Sequence, residues 1–184
     1  MARQVKVITA AEAAALIKNG DTVTTSGFVA SAIPEALDRA VEERFLATGE
    51  PRDITYVYCG SQGNKDGRGA EHFAHEGLLK RYIAGHWATV PALQKMALEN
   101  KMEAYNVSQG ALCHLFRDIA AHRPGCFTKV GLGTFIDPRN GGGKVNDVTK
   151  EDIIELVNIK GQDYLFYPAF PINVALIRGT YADE

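Results

Sequence analysis

Apolar positions along the chain switch repeatedly between a period near two and a period near 3.6, the pattern of short strands alternating with helices. Thr9-Ala10-Ala11-Glu12 has the spacing of a capping box and predicts a helix through Leu16 and Ile17, ending near Gly20. Thr22-Val23-Thr24-Thr25 is rich in β-branched residues and predicts a strand, with Ser26-Gly27-Phe28 as the turn after it. Pro34 suits the first turn of a second helix, whose buried stripe is Leu37, Val41 and Phe45. Ile54 to Cys59 reads as the next strand, and a glycine-rich loop from Gly60 to Gly69 follows.

Glu71 to Leu79 is expected to be helical, Arg81 to Gly85 a brief strand, and Pro91 to Asn100 a helix with Leu93, Met96 and Ala97 inward. Glu103 to Val107 predicts a strand. A turn at Ser108-Gln109-Gly110 then leads into a helix from about Ala111 to Ala121, with Leu112, Leu115, Phe116 and Ile119 on its apolar face. Pro124-Gly125 closes that helix, and a polar loop runs from Gly131 to Lys144. Ile154 to Ile159 and Asp163 to Tyr167 flank Lys160-Gly161, a hairpin signal, and Asn173 to Arg178 is a last apolar strand. The expected fold class is α/β: an open, mostly parallel sheet with helices on both faces and one antiparallel hairpin. Gly27, Gly60, Gly63 and Gly110 come just after predicted strands, at the edge where such sheets bind ligands and bare backbone allows close approach.

With 184 residues the chain can hold one domain with a real core. A net charge of −2 gives no basic surface for nucleic acid or an anionic membrane, and no apolar run is long enough to cross a bilayer. Met1 to Lys6 lacks an apolar segment, so no signal peptide is expected. Cys59, Cys113 and Cys126 are odd in number and widely spaced, so neither a disulfide framework nor a cysteine zinc site is expected, and a cytoplasmic location is the simple reading.

The polar motifs carry mixed signals. Gly63 to Gly69 matches neither nucleotide-loop spacing, and a mobile surface loop is its ordinary reading. Gly141-Gly142-Gly143-Lys144 lacks both the strand before a Walker loop and the hydroxyl residue after it. His72, His75 and Glu76 have no zinc-protease spacing; a metal is open to them, but packing histidines are the commoner case. Ser108-Gln109-Gly110 is no hydrolase elbow. A strand–turn–helix with Gln109 at its tip either caps a helix or offers an amide and a backbone N–H to a carbonyl or carboxylate oxygen.

Several of these turns together resemble the family I coenzyme A transferases. Gly27-Phe28 followed by Ile33-Pro34-Glu35 resembles their G-F-x-x-x-x-I-P-E segment, and Ser108-Gln109-Gly110 their P-Q-G turn with serine in place of proline. Val130-Gly131-Leu132-Gly133-Thr134-Phe135 resembles their T-G-x-G-T loop, and Arg178 to Glu184 their R-x-T-x-A-D-E segment. The likeness spans the chain. It is nearest to propionate (lactate) CoA-transferases through Tyr58 to Gly63, Ala70 to Gly77 and Ile136 to Lys144.

The resemblance implies an N-terminal CoA-transferase domain over residues 1–184 and a sheet like that of sugar-phosphate isomerases. It implies ping-pong transfer of CoA between an acyl-CoA and propionate, lactate or acetate. The nucleophile of such transfer is a glutamate in the family's C-terminal half, beyond Glu184, so no catalytic residue is expected here, and Glu71 and Glu76 are expected to be structural or at most to support residues that touch the ligand. This half would supply the acyl pocket: Gln109 beside the acyl oxygen, Gly110 for close approach, Gly27 and Phe28 as lining, with Ser61 and Gln62 as weaker members. Coenzyme A enters as substrate, with no permanent cofactor and no metal. The implied partner is the C-terminal catalytic half or subunit, in a homo-oligomer of the full enzyme. A non-catalytic domain binding a sugar phosphate or small anion is the alternative, served by Lys65, Arg68, Arg139 and Lys144, and a scaffolding subunit is a third reading.

Overall fold

A computed structural model describes residues 5–181. Five strands, β1 (Thr22–Thr25), β2 (Ile54–Tyr58), β3 (Leu79–Ala84), β4 (Glu103–Asn106) and β8 (Val174–Leu176), form one sheet in the order β4-β3-β2-β1-β8. Every neighbouring pair in it is parallel. The expected hairpin is present as β6 (Glu155–Ile159) and β7 (Gln162–Pro168), turning on Lys160 and Gly161 at φ 52° and 80°. It lies in a separate antiparallel sheet, order β5-β7-β6, completed by β5 (Gly125–Thr128). Sequence had assigned Pro124-Gly125 to helix closure only. Four residues carry too little periodicity to announce a strand that long-range pairing with β7 creates.

Period-two alternation divides the core between the faces of the parallel sheet. Ile54, Tyr56, Tyr82, Ala84 and Ala104 point to one face, under helices α1 (Ala10–Ala14), α2 (Glu35–Thr48) and α3 (Pro91–Leu98). Val57, Ile83 and Tyr105 point to the other, under α4 (Gln109–Ala120) and the antiparallel sheet, with Leu112, Leu115 and Leu165. Each fully buried Val, Ile or Leu among them contributes about 1.5–3 kcal/mol. A column of rings, Phe73 on Tyr56 at 4.7 Å, Tyr56 on Tyr82 at 5.4 Å and Tyr82 on Trp87 at 4.6 Å, fills the first face near the strand ends.

Two helices differ from expectation. The Thr9 capping box is formed, but α1 stops at Ala14 rather than near Gly20. The segment from Glu71 to Leu79 is a 3-10 turn (Ala70–Phe73) followed by β3. Gly69 and Gly77 bracket that turn at positive φ, and Glu71 is drawn inward to accept from the backbone N–H of Gly67 and Ala92, so the local preference for helix is overridden. Ala182 to Glu184, the end of the R-x-T-x-A-D-E resemblance, and Met1 to Gln4 lie outside the described residues. Among the described residues no helix is long and apolar enough to cross a membrane.

Candidate active site

Four turns lie side by side at the carboxyl ends of β1 to β4, the edge where open α/β sheets bind ligands. Backbone bonds stitch them together. Val29 N–H donates to Ser61 O at 3.0 Å, Gly63 N–H to Val29 O at 2.9 Å, His86 N–H to Gly60 O at 3.2 Å and Val107 N–H to Ala84 O at 3.0 Å.

Gln109 opens α4 from the end of β4. Ser108 is the N-cap at φ −63°, the angle proline would impose, and its Oγ accepts from Ala111 N–H, which proline could not do. The serine therefore keeps the turn's shape and adds a cap. The Gln109 side chain is exposed and makes no hydrogen bond among the described residues. It leans across β3 to lie over Gly60, where an added Cβ would meet its Cδ and Oε1 at 3.4 Å. Gly85, at the end of β3, lies beneath: a Cβ there would sit 2.7 Å from Gln109 Cα and collide with the carbonyl of Cys59. The first N–H groups of α4, at Gln109 and Gly110, have no intrahelical acceptor. A primary amide and free helix N-terminal donors thus meet on one exposed edge.

The β1 turn is strained. Gly27 takes φ 111°, and its missing Cβ leaves room for the Ser31 carbonyl, which a Cβ would approach to 2.9 Å. Val29 and Ala32 also take positive φ, 54° and 55°, which is costly for a β-branched residue. This geometry turns Phe28 outward, 59% exposed at the same edge. Ser61 and Gln62 go the other way. Ser61 is buried with its hydroxyl on Thr89, and Gln62 is fully buried behind the turn. Gln109, Gly110, Gly27 and Phe28 therefore present surface, while Ser61 and Gln62 lie underneath.

Sequence reasoning missed the group that surrounds Gln62. Its amide donates to Ser26 O at 3.1 Å and to Asp38 Oδ2 at 3.3 Å, and its Oε1 accepts from Tyr56 OH at 3.1 Å. Tyr56 OH pairs in turn with Thr25 Oγ1 at 2.6 Å. One signal was available: Asp38 sits three before Val41 and seven before Phe45, an acid on the buried stripe of α2. Asp38 is fully buried, and its Oδ1 has no partner among the described residues. Burial lifts its carboxyl to about 7; the Gln62 hydrogen bond and His72 pull it back, and Glu35 adds to the rise. The folded chain thus keeps this proton where the unfolded chain releases it, so stability falls as pH rises from about 4 to about 7. Asp38→Asn is expected to remove that slope and to stabilise the protein at neutral pH, by on the order of 4 kcal/mol at most. Urea midpoints across this range check it; parallel wild-type and variant curves would contradict it.

The histidines that raised a metal reading are held by carboxylates instead. His72 Nδ1 meets Glu42 Oε2 at 2.5 Å and its Nε2 meets Glu35 Oε1 at 3.0 Å, while His75 Nε2 meets Glu42 Oε1 at 2.6 Å. Burial alone would lower the His72 pKa, but the two glutamates outweigh it and hold it raised. Among the described residues no group of three His, Cys, Asp or Glu is arranged to hold a metal ion. Two of the four loop cations are also engaged: Arg139 with Asp137 and Asp163, and Lys144 with Asp152. Cys59, next to Gly60, is pushed up to about 12 by burial and by Cys113, which leaves no thiolate for nucleophilic work at neutral pH.

A family model described as coenzyme A transferase matches residues 7–184. The chain belongs to the coenzyme A transferase family. Over 179 residues, 97% of the chain, it is 42% identical to the caffeate CoA-transferase of Acetobacterium woodii, and covers 34% of that protein. It is 39% identical over 183 residues, 98% of the chain, to the acetate CoA-transferase YdiF of Escherichia coli K12, again 34% of the relative. The crystal structure of the Escherichia coli O157:H7 acyl-CoA transferase YdiF in its thioester complex with CoA superposes with a TM-score of 0.87 at 37% identity, covering 92% of this chain and 33% of that one. The chain spans about a third of the length of these relatives.

Proposed function

We propose that this chain forms the acyl-binding side of a CoA-transferase that exchanges CoA between an acyl-CoA and a short-chain carboxylate, with the nucleophile supplied by the rest of the protein. The observation that carries this reading is the unengaged Gln109 amide beside the free N–H groups of α4, at the carboxyl ends of the parallel strands. A glutamate carboxylate from the remainder would attack the thioester carbonyl, and the oxyanion would form where Gln109 and the Gln109–Gly110 N–H groups can donate. CoA thiolate would leave, giving an acyl-glutamyl anhydride. The thiolate would then attack the glutamyl carbonyl, release the first carboxylate and leave a glutamyl-CoA thioester. A second carboxylate reverses the sequence. Gly27 and Phe28 would line the acyl group, while Ser61 and Gln62, whose polar atoms face inward, would support that lining from below.

The acids are proposed as a class. Acetate, already in the class with propionate and lactate, gains support because one relative bears its name, and caffeate, the name of another, extends the class to a larger acyl group. A small pocket separates neighbouring acids by only about 1–3 kcal/mol per methylene. The anion-binding alternative loses support because Arg139 and Lys144 are already paired with carboxylates. Initial rates of CoA transfer by the full-length protein, with acetyl-CoA and propionate varied together, test the proposal. Parallel double-reciprocal lines are expected; intersecting lines would overturn the ping-pong order, and no transfer would overturn the activity.

A further inference from the structure

The amide of Gln62 lies under the strained turn and touches it. It binds the carbonyl of Ser26, the residue before Gly27 and Phe28, and it is held from three directions: Tyr56 from β2, Asp38 from α2, and its own backbone through the Val29 bridge. The side chains of Gln62, Tyr56 and Asp38 are fully buried, and the Ser26 carbonyl above them is half-buried. A buried network of this kind fixes one geometry when every member is satisfied. Here one atom is not, because Asp38 Oδ1 has no donor.

We propose that Gln62 and Asp38 are positioning residues, which set the Gly27–Phe28 lining of the acyl pocket through the Ser26 carbonyl. This rests on the acyl-pocket reading above. While Asp38 is a neutral acid it competes weakly for the Gln62 amide, and Ser26 keeps its hydrogen bond. As a carboxylate with an undonated oxygen it draws the amide toward itself, and the turn loses its tie. The groups facing Asp38 set where this happens. They are Tyr56 on β2, Gln62 in the second turn and His72 on the 3-10 turn, with Glu35 one turn back on α2. Glu42 and Glu71 nearby are engaged, by His72 and His75 and by the N–H groups of Gly67 and Ala92. The carboxyl titrates at about 7, within the range where an enzyme is assayed.

The test uses the full-length protein with 4-fluorophenylalanine at position 28. Its fluorine shift is expected to step with a midpoint near 7 in the parent and to stay flat in Asp38→Asn, while kcat/KM falls through the same midpoint in the parent only. Gln62→Met keeps the volume and removes the amide. It is expected to lower kcat/KM by about 10-fold to 100-fold, mainly by raising KM for the carboxylate. A fluorine step that survives in Asp38→Asn would overturn the proposal, as would a folded Gln62→Met with parental kcat/KM. Absence of CoA transfer in the parent would instead sink the function reading, and the fluorine titration would still decide whether Asp38 moves the turn.

Discussion

Gln109→Ala in the full-length protein is expected to lower kcat for CoA transfer by about 100-fold to 1000-fold, the usual cost of deleting one oxyanion donor. The geometry makes the substitution clean. The side chain is exposed and bonds to nothing among the described residues, so its loss leaves no buried group unpaired. α4 keeps its Ser108 cap, and alanine at its first position favours the helix. The fall should therefore appear in kcat with an unchanged urea midpoint, while KM moves little, because the amide would act on charge present only in the transition state. Gln109→Glu should be at least as damaging, since a carboxylate repels the same oxyanion. Unchanged kcat in Gln109→Ala would remove the residue from the chemistry.

Gly85→Ala is expected to be the most damaging single methyl on this edge. The new Cβ would strike the Cys59 carbonyl and come within 2.7 Å of Gln109 Cα and Cβ. The first of these is backbone at the end of β2 and the second anchors α4, so no flexible side chain can yield. Overpacking of this kind costs about 1–3 kcal/mol. Relief requires α4 to move away from β2, which carries the Gln109 amide off Gly60. Stability and kcat should fall together in Gly85→Ala, read by the urea midpoint and by turnover. Gly110→Ala is the contrast. A Cβ there meets nothing within 4 Å and φ is not positive, so a gain of about 0.5–1 kcal/mol is expected from helix propensity. If the substrate approaches Gly110 as proposed, KM rises in that stable variant.

The two glycines show what the sequence conveyed and what it withheld. Gly110 was visible because it follows Ser108-Gln109 in a strand–turn–helix text, and both ends of that text carry strong local signals. Gly85 was passed over as the last residue of a brief strand, because its role depends on contacts with Cys59 and Gln109, twenty-odd positions away on either side. The same division runs through the fold. The Thr9 capping box, the β-branched run at Thr22, the stripe of α4 and the Lys160-Gly161 turn are local, and each formed where expected. The helix expected from Glu71 to Leu79 did not form, because Glu71 and His72 find partners on α3 and α2 that outweigh local helix preference. At the candidate site, the strand-end glycines located the edge. Burial in the folded chain reveals that Ser61 and Gln62 turn inward, and packing shows what the place of Asp38 on the α2 stripe only hinted at, an acid beneath them.

Trapping the covalent intermediate tests the central claim most directly. The full-length protein is incubated with propionyl-CoA, its intact mass is measured, and the modified peptide is mapped. A gain equal to CoA less one water, lost on borohydride treatment and located on a glutamate outside residues 1–184, is the predicted result. No adduct, or an adduct on Glu71, Cys59 or any other residue of this chain, would contradict the account.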